Sequence, residues 1–266
     1  MTNSLIDTLQ LKTRGVISLI GAGGKTSLMF RLAKEVAGSG KTVLTTTTTK
    51  IFMPDPDQSP VTIIEAGVDE LIKKLKSYLN HYHHFSAGRE RDAATGKLNG
   101  FSLDTINDLW QANLFDWIIV EADGAKRKSL KATGSHEPVV PRATSHLILV
   151  TGLDAVGKSL DDSHVHRADL FSNNTGLPLG GTIDEQSIAI STAIEMEKAG
   201  TLSHPNFSIV FLNKADTLSR IDSGRKIAEL LQANQDISQI ITVSLKDDTS
   251  VKECFNTQKH KLKGTK

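Results

Sequence analysis

Short apolar runs rich in β-branched residues alternate along the chain with longer segments whose apolar residues recur at helical spacing. The runs typical of strands are VISLI (16–20), TVLTT (42–46), WIIVE (117–121), HLILV (146–150), SIVFL (208–212) and QIITV (239–243). The segments between them predict helices over 26–37, 68–80, 102–113, 183–199 and 217–233. Strands that alternate with helices are typical of a parallel sheet joined by crossover helices. The pattern therefore predicts a three-layer α/β fold with a mostly parallel central sheet and elaborated loops.

Long polar connections interrupt this alternation. Segment 50–60 contains three prolines, 83–100 is punctuated by glycine and predicts a hairpin, and 122–145 and 151–182 are extended loops. Long connections within a compact domain tend to carry function. Because no linker or internal repeat separates the elements, we predict a single domain over 1–266.

The turn GAGGKTS (21–27) joins the first predicted strand to the first predicted helix. The usual phosphate-binding pattern G-x-x-x-x-G-K-[ST] would need a glycine at Leu19, so this turn is two residues shorter. A similarly shortened turn occurs in the Mur ligase family, which the segment resembles locally. A glycine turn between a strand and a helix is the context in which backbone N–H groups cradle phosphates. The alternative is a tight turn with a solvated lysine. We predict a P-loop NTPase-like nucleotide loop over 16–38, formed by Gly21, Ala22, Gly23, Gly24, Lys25, Thr26 and Ser27.

In this interpretation Lys25 has a catalytic role, because its ammonium group would reach the β- and γ-phosphates of the nucleotide. The hydroxyl of Thr26 would bind Mg²⁺.

The tetrapeptide NKAD (213–216) follows a predicted strand and indicates the base of the nucleotide. A carboxylate at Asp216 can accept hydrogen bonds from the N1–H and the 2-amino group of guanine together, whereas adenine has an acceptor at N1. Asn213 would brace the loop, and the stem of Lys214 would lie on the base. The alternative for Asp216 is the N-cap of the helix that follows.

Ser244 comes directly after the last predicted strand, in the sequence Ser-Leu-Lys. This tripeptide resembles the S-A-K element whose backbone N–H contacts guanine O6 in GTPases. Together with NKAD it predicts a guanine-recognition region over 208–246. The nucleotide predicted from the sequence is therefore GTP, with ATP as the alternative.

The run WIIVEADGAK (117–126) ends a predicted strand with acidic residues. A carboxylate in this position orients Mg²⁺ in many nucleotide-binding proteins. We predict that Glu121 and Asp123 are catalytic and bind the metal, and that 117–145 includes a switch-like loop. The alternative is an acidic strand end that is hydrogen-bonded to neighbouring loops.

Five consecutive threonines occupy positions 45–49. The last three should emerge at the carboxyl end of the sheet, where ligands bind in open α/β folds. We predict that Thr47 is a further Mg²⁺ ligand.

Composition limits the classes of function. The chain has 31 Lys and Arg against 30 Asp and Glu, a balance that does not indicate binding to nucleic acid or to an anionic membrane. A single cysteine allows no intrachain disulfide and no cysteine-based metal cluster. The N-terminal residues lack the pattern of a signal peptide, and no apolar run is long enough for a membrane helix. The expected location is therefore the cytoplasm.

Several blocks in fixed order resemble the YqeC family: GAGGKTS, LTTTTTKIFMP (44–54), VEADGAKRKSLKATGSHEPVVP (120–141), TGLDAVGKSLDDSHVHR (151–167) and NKAD. Members are assigned as accessory proteins of selenium-dependent molybdenum hydroxylases. The resemblance implies a nucleotide-binding protein that helps to mature or deliver a selenium-containing molybdenum cofactor. It also implies a molybdenum hydroxylase or another molybdenum-cofactor enzyme as partner. The motif set further resembles nickel-insertion GTPases, and a homodimer is an additional expectation.

Three functions fit these motifs. The first is a slow GTPase acting as an accessory factor, which NKAD and Ser244 favour. The second is a kinase or ligase-like enzyme that activates a small molecule, with 122–145 and 151–182 as the acceptor pocket. The third is a sensor that binds nucleotide without turnover.

Overall fold

A nine-stranded sheet forms the centre of the described part of the chain, which comprises residues 4–247 and 250–257 of the computed structural model. The helices are α1 (Leu5–Thr8), α2 (Lys25–Gly38), α3 (Val68–Tyr78), α4 (Leu103–Gln111), α5 (Ala168–Thr175), α6 (Glu185–Ser203) and α7 (Leu218–Leu231). The strands are β1 (Gly15–Gly21), β2 (Val43–Thr47), β3 (Lys50–Ile51), β4 (Thr62–Ile64), β5 (His84–Gly88), β6 (Glu90–Arg91), β7 (Leu98–Asn99), β8 (Trp117–Glu121), β9 (Leu130–Lys131), β10 (Thr144–Gly152), β11 (Val165–His166), β12 (Phe207–Asn213), β13 (Gln239–Val243) and β14 (Val251–Asn256).

The order of strands in the central sheet is β14-β13-β12-β10-β1-β8-β2-β5-β4. Neighbouring strands pair in parallel, except that β14 runs antiparallel to β13. β1 lies in the middle, between β10 and β8. The carboxyl ends of β1, β8 and β12 therefore meet at one edge of the sheet, which brings their loops together.

Helices cover both faces of this sheet. On one face α2 packs its apolar side chains, including Leu28, Leu32 and Val36, into the same cluster as Ile17 and Leu19 of β1. On the other face α5, α6 and α7 contribute to a second cluster. Because β1 is buried on both sides, its residues are apolar except for Ser18 and do not alternate with polar ones.

Two small sheets lie outside the central one. β9 pairs in parallel with β11, which joins the loop after β8 to the loop after β10. β3, β7 and β6 form an antiparallel sheet.

The architecture confirms the predicted α/β fold with its mostly parallel sheet, and all six predicted strands and five predicted helices are present. The prediction for 83–100 was wrong in part, since β5 joins the central sheet in parallel and only β6 and β7 form the hairpin. The sequence did not indicate β4, α5 or β14. In the described residues, no helix is long and apolar enough to cross a membrane.

Candidate active site

The loop between β1 and α2 has a backbone that only glycine adopts readily. Gly23 has φ 91° and Gly24 has φ 128°, both in the left-handed region. A Cβ on Gly24 would lie 2.4 Å from the Asn213 side-chain nitrogen, and one on Gly23 would lie 2.4 Å from the Gly152 backbone nitrogen. Both positions are therefore restricted by conformation and by space, and the loop leads directly into the N-terminus of α2.

The ammonium group of Lys25 lies at the centre of this loop. Its Nζ donates to the Gly21 carbonyl at 2.6 Å and lies 3.0 Å from Asp123 Oδ1 and 3.8 Å from Glu121 Oε1. Burial of the side chain lowers the pKa of Lys25, but the two carboxylates outweigh burial, so that the net shift is upward. Lys25 is therefore a charged group held at the helix N-terminus.

Glu121 and Thr26 place two oxygens side by side. Thr26 Oγ1 donates to Glu121 Oε2 at 2.7 Å, and the carboxylate lies at the end of β8. Burial raises the pKa of Glu121, while Lys25 and Thr26 oppose the shift. A hydroxyl and a carboxylate are the ligands that Mg²⁺ takes in nucleotide sites, where water and phosphates complete its shell. The residues present fit such an ion, although the described residues contain no cluster of three or more His, Cys, Asp or Glu side chains suited to a metal.

Asp123 lies beneath the loop and is fully buried. Its Oδ2 accepts from the Gly21 backbone N–H at 2.9 Å and lies 2.9 Å from Lys131 Nζ, while its Oδ1 faces Lys25. Both oxygens therefore have a positively polarised partner. In this arrangement Asp123 anchors the loop and its lysine, and its carboxylate does not line the adjacent cavity.

Thr47 is placed differently from its predicted role as a metal ligand. The residue is fully buried at the end of β2, and its hydroxyl donates to the Glu121 carbonyl at 2.7 Å. Thr49, two residues later, lines the cavity instead. The prediction failed because Thr47 still belongs to the strand, where its hydroxyl satisfies a neighbouring backbone group.

A chain of alternating charges leads away from Lys25 through Asp123. Lys131 Nζ bridges the Asp123 carboxylate and Glu137 Oε2, at 2.9 and 2.7 Å. Glu137 Oε2 also accepts from Arg167 at 2.8 Å. Burial raises the pKa of Glu137, but hydrogen bonds from Lys131 and Arg167 outweigh it and the net shift is downward. The loops after β8 and β10 are thus tied to the loop after β1 by ionic contacts.

The NKAD segment touches the glycine loop through Asn213. Its Nδ2 donates to the Gly23 carbonyl at 2.7 Å. Lys214 is held by two neighbouring side chains: its Nζ donates to Asp154 Oδ2 and to Ser129 Oγ, each at 2.8 Å. Its side chain lines the cavity.

Asp216 is held by three donors. Ser244 Oγ donates to its Oδ1 at 2.7 Å, and Arg220 and Lys246 approach its Oδ2 at 3.3 and 3.4 Å. Burial raises the pKa of Asp216, but these partners outweigh it, so the carboxylate is held ionised. The alternative role as an N-cap was wrong, because the Thr217 side chain caps α7.

A cavity of about 850 Å³ opens beside the glycine loop. Its walls are Gly23–Ser27, Thr49–Phe52, Gly124–Lys128 and single side chains from other loops. Among the described residues that line it are two carboxylates and seven cationic side chains, Lys25, Lys50, Lys97, Lys126, Arg127, Lys128 and Lys214. Asn213, Asp216 and Ser244 do not line it. Of the predicted base-site residues, Lys214 therefore reaches the cavity.

Comparison with known proteins identifies the family. The family model described as "YqeC protein" matches residues 17–169. The "Uncharacterized protein YqeC" of Escherichia coli (strain K12) is 37% identical over 180 residues, which are 67% of this chain and 68% of that protein. The chain belongs to the YqeC family.

A comparison with solved structures matches one that contains a bound nucleotide. The structure is the signal recognition particle 54 kDa protein from Aeropyrum pernix K1 in complex with GDP, and it matches with a TM-score of 0.33 and 14% identity. The match covers 90% of this YqeC-family chain and 37% of the other protein, so the chain spans little more than a third of it.

Sequence reasoning found most of the residues that meet here and missed others. The structure brings Lys25, Thr26, Glu121 and Asp123 together, as predicted from their motifs. It also adds Lys131 and Arg167, which no motif indicated. The available signal was weak: both cations belong to segments of the family blocks, LKA and HVHR, that contain no recognised nucleotide-binding pattern.

Proposed function

We propose that this YqeC-family protein binds GTP together with Mg²⁺ at residues 21–27 and hydrolyses it slowly as an accessory factor. One observation carries the proposal: the charged Lys25 and the Thr26–Glu121 oxygen pair converge at the N-terminus of α2, in a loop that requires glycine. Backbone N–H groups and the helix dipole favour an anion at this point.

A triphosphate would replace contacts that Lys25 now makes within the protein. Its Nζ donates to the Gly21 carbonyl, and phosphate oxygens are stronger, charged acceptors. Thr26 and Glu121 would hold Mg²⁺, which would neutralise charge on the β- and γ-phosphates. Asp123 supports the same step indirectly, because it positions Lys25 from below the loop.

The choice of guanine is supported by the state of Asp216. Its carboxylate is ionised, and Ser244 fixes its orientation through one oxygen. An ionised, oriented carboxylate suits two adjacent donors on a base and repels the N1 acceptor of adenine. Asn213 links this segment to the glycine loop, which suits a ligand with its base at one end and its phosphates at the other.

The accessory role would be a handover, meaning the transfer of a cofactor to a partner protein that depends on the bound nucleotide. It is supported by the charge chain that leads from Asp123 to Glu137 and Arg167. Through these contacts, the conformation of the loops after β8 and β10 would depend on the position of Lys25. By resemblance to the YqeC family, the process served is maturation or delivery of a selenium-containing molybdenum cofactor to a molybdenum hydroxylase.

A second function is favoured by the cavity. Its volume of about 850 Å³ lies within the range of small-molecule sites, roughly 300–1,000 Å³. Of the residues predicted to contact the base, Lys214 lines it, whereas Asn213, Asp216 and Ser244 do not. Space beside the terminal phosphate suits an acceptor in a kinase or ligase-like reaction.

Incubation with γ-labelled GTP and Mg²⁺ separates these functions. The protein is tested in buffer and again with the small-molecule fraction of a cell extract. We expect slow release of labelled phosphate in buffer. A labelled small molecule formed only with the extract would instead identify a transferase. GTP binding without turnover in either condition would identify a sensor, and absence of GTP binding would overturn the proposal.

The handover is tested with a purified molybdenum hydroxylase and the immobilised protein. We expect retention of the hydroxylase to differ between the GDP state and a state loaded with non-hydrolysable GTP. Equal retention in both states, or none, would remove the handover from the proposal and leave GTP hydrolysis untouched.

A further inference from the structure

Three cations that line the cavity lack a counter-charge. Lys97, Lys126 and Arg127 all line the cavity. No carboxylate of a described residue lies within 4.0 Å of the charged group of any of them. Other cations in the cavity are already engaged: Lys50 pairs with Asp92, and Lys214 pairs with Asp154.

Phe52 arranges two of these cations. The Lys97 Nζ lies 4.8 Å and the Arg127 Cζ 4.4 Å from the centroid of its ring. Cations are attracted to the face of an aromatic ring at such distances. Phe52 itself is 51% exposed, so its ring serves the cavity surface and not the core.

Two of the three cations, Lys126 and Arg127, have a strained backbone conformation. Lys126 has φ 46° and Arg127 has φ 62°, a region that side chains other than glycine, asparagine and aspartate rarely occupy. Strained residues of this kind cluster at ligand-binding sites. Like charges that line one cavity also repel each other, and an anion bound between them would relieve that repulsion.

The wall formed by Lys97, Lys126 and Arg127 is separate from Asp216 and Ser244, the residues predicted to read the nucleotide base. Asp216 and Ser244, which would read the base, lie outside the cavity lining, whereas Lys25 and Glu121 belong to it. Lys214 also lines the cavity, but its Nζ is held by Asp154 and Ser129, so a nucleotide that runs from Asp216 to Lys25 would enter the cavity mainly with its phosphates. The wall formed by Lys97, Lys126 and Arg127 stays free for a second molecule.

We propose that Lys97, Lys126 and Arg127, arranged by Phe52, form a second phosphoryl-binding subsite that holds a phosphorylated small molecule beside the terminal phosphate of the nucleotide. The proposal rests on nucleotide binding at residues 21–27. The three side chains supply charge-assisted hydrogen bonds to the phosphoryl oxygens, and the guanidinium of Arg127 is suited to a bidentate contact. Phe52 is a positioning residue and does not touch the anion.

Calorimetry tests the subsite in two stages. The protein is first saturated with Mg²⁺ and non-hydrolysable GTP and is then titrated separately with ribose 5-phosphate and inorganic phosphate. We expect one further equivalent to bind. Arg127→Gln and Lys97→Gln should each weaken this second binding about tenfold or more. Phe52→Leu should weaken it about two- to fivefold. Neither the three variants nor the control Lys73→Gln, an exposed lysine on α3, should alter the affinity for the GTP analogue.

The outcomes distinguish this subsite from the proposed function. If the first titration shows no binding of the GTP analogue, the proposed function fails. If the analogue binds and neither phosphate compound follows, the subsite is overturned alone. Binding that Arg127→Gln and Lys97→Gln leave unchanged would also overturn it, as an adventitious anion. Tighter binding of ribose 5-phosphate than of inorganic phosphate supports an organic ligand, and equal binding supports the free ion.

Discussion

The side-chain amide of Asn213 donates to the carbonyl of Gly23 at 2.7 Å, and the two residues are far apart in the sequence. This bond joins the end of β12 to the glycine loop at the end of β1, across the intervening strand β10. Asn213 is buried, and its Oδ1 accepts from the Leu245 N–H at 3.4 Å. One side chain therefore sets the separation between the proposed phosphate and base sites.

Replacement of Asn213 by alanine should weaken GTP binding and loosen the fold. Loss of a buried hydrogen bond lowers the free energy of unfolding by about 1–2 kcal/mol. Urea denaturation and calorimetry measure the two effects, with Asn206→Ala as the control at an exposed position. Unchanged GTP affinity in Asn213→Ala would mean that the bond only supports the fold.

Lys25→Ala should lower the affinity for GTP with Mg²⁺ about tenfold to hundredfold, because a charge-assisted contact to the phosphates is lost. Lys131 still faces Asp123 in the variant, so that the buried carboxylate keeps a partner. Lys34→Ala, on the exposed side of α2, is the matched control. Equal calorimetric affinities for the wild type and Lys25→Ala would show that the loop is a structural turn and does not bind the phosphates.

Asp216→Asn should lower the affinity for GTP and improve that for xanthosine triphosphate. Xanthine carries a carbonyl where guanine carries the 2-amino donor, and an amide can donate to it. Competition binding against a fluorescent GTP analogue measures both, with Asp222→Asn on α7 as the control. The guanine assignment is wrong if wild-type protein binds ATP and GTP equally.

Residues 124–141 should respond to the nucleotide. When Lys25 turns to the phosphates, Asp123 loses one of its cations, and the contacts of Lys131 with Asp123 and Glu137 adjust. Hydrogen exchange in the apo, GDP and non-hydrolysable GTP states with Mg²⁺ should give different protection of 124–141. Glu137→Gln should reduce that difference. Identical exchange of 124–141 in all three states, with 21–27 protected, would show that the segment is static.

Stability should fall in mild acid because of His146. Burial lowers the pKa of this residue from 6.5 to about 4, and its ring stacks on Phe207 at 4.7 Å. The unfolded chain therefore binds a proton between these values that the folded protein does not bind, and the free energy of unfolding falls as the pH drops through this window. At about pH 5 the loss from one such histidine is about 2 kcal/mol.

His146→Phe keeps the stacked ring and removes the titration. Urea denaturation should give a smaller loss of stability between about pH 7.5 and pH 5 than in the wild type. His84, whose pKa burial also lowers to about 4, maintains part of the slope. The exposed control His81→Phe should behave as the wild type, and an equal slope in His146→Phe would contradict the assignment.

The central strands could be predicted because burial on both faces makes them predominantly apolar, as in VISLI and WIIVE. β5 and β14 could not. The sequence of β5 is HFSAG, whose His84 and Ser86 find buried hydrogen-bond partners on Thr45 that only the fold supplies. β14 is a partly exposed edge strand, VKECFN, with little apolar signal.

The residues of the candidate site also include some that could be predicted from the sequence and others that could not. Lys25, Thr26 and Glu121 could be predicted because their signals are local in the sequence. Lys25 and Thr26 belong to the glycine turn GAGGKTS, and Glu121 ends the apolar strand WIIVE. The ionic contacts of Lys131 with Asp123 and Glu137 could not, because they depend on the pairing of β9 with β11 and on the course of a long loop. Thr47 was misassigned for a related reason, since the sequence does not show at which residue β2 ends.

The close approach of Gly23 and Gly152 restricts the residue type at both positions of this chain. A side chain at Gly23 would collide with the Gly152 backbone, and one at Gly152 would meet the Ser129 Cβ at 2.9 Å. A mutation at either position therefore cannot be compensated by a change at the other. Each position is therefore restricted independently, so a side chain at Gly152 should disturb the nucleotide loop as much as a side chain within GAGGKTS itself.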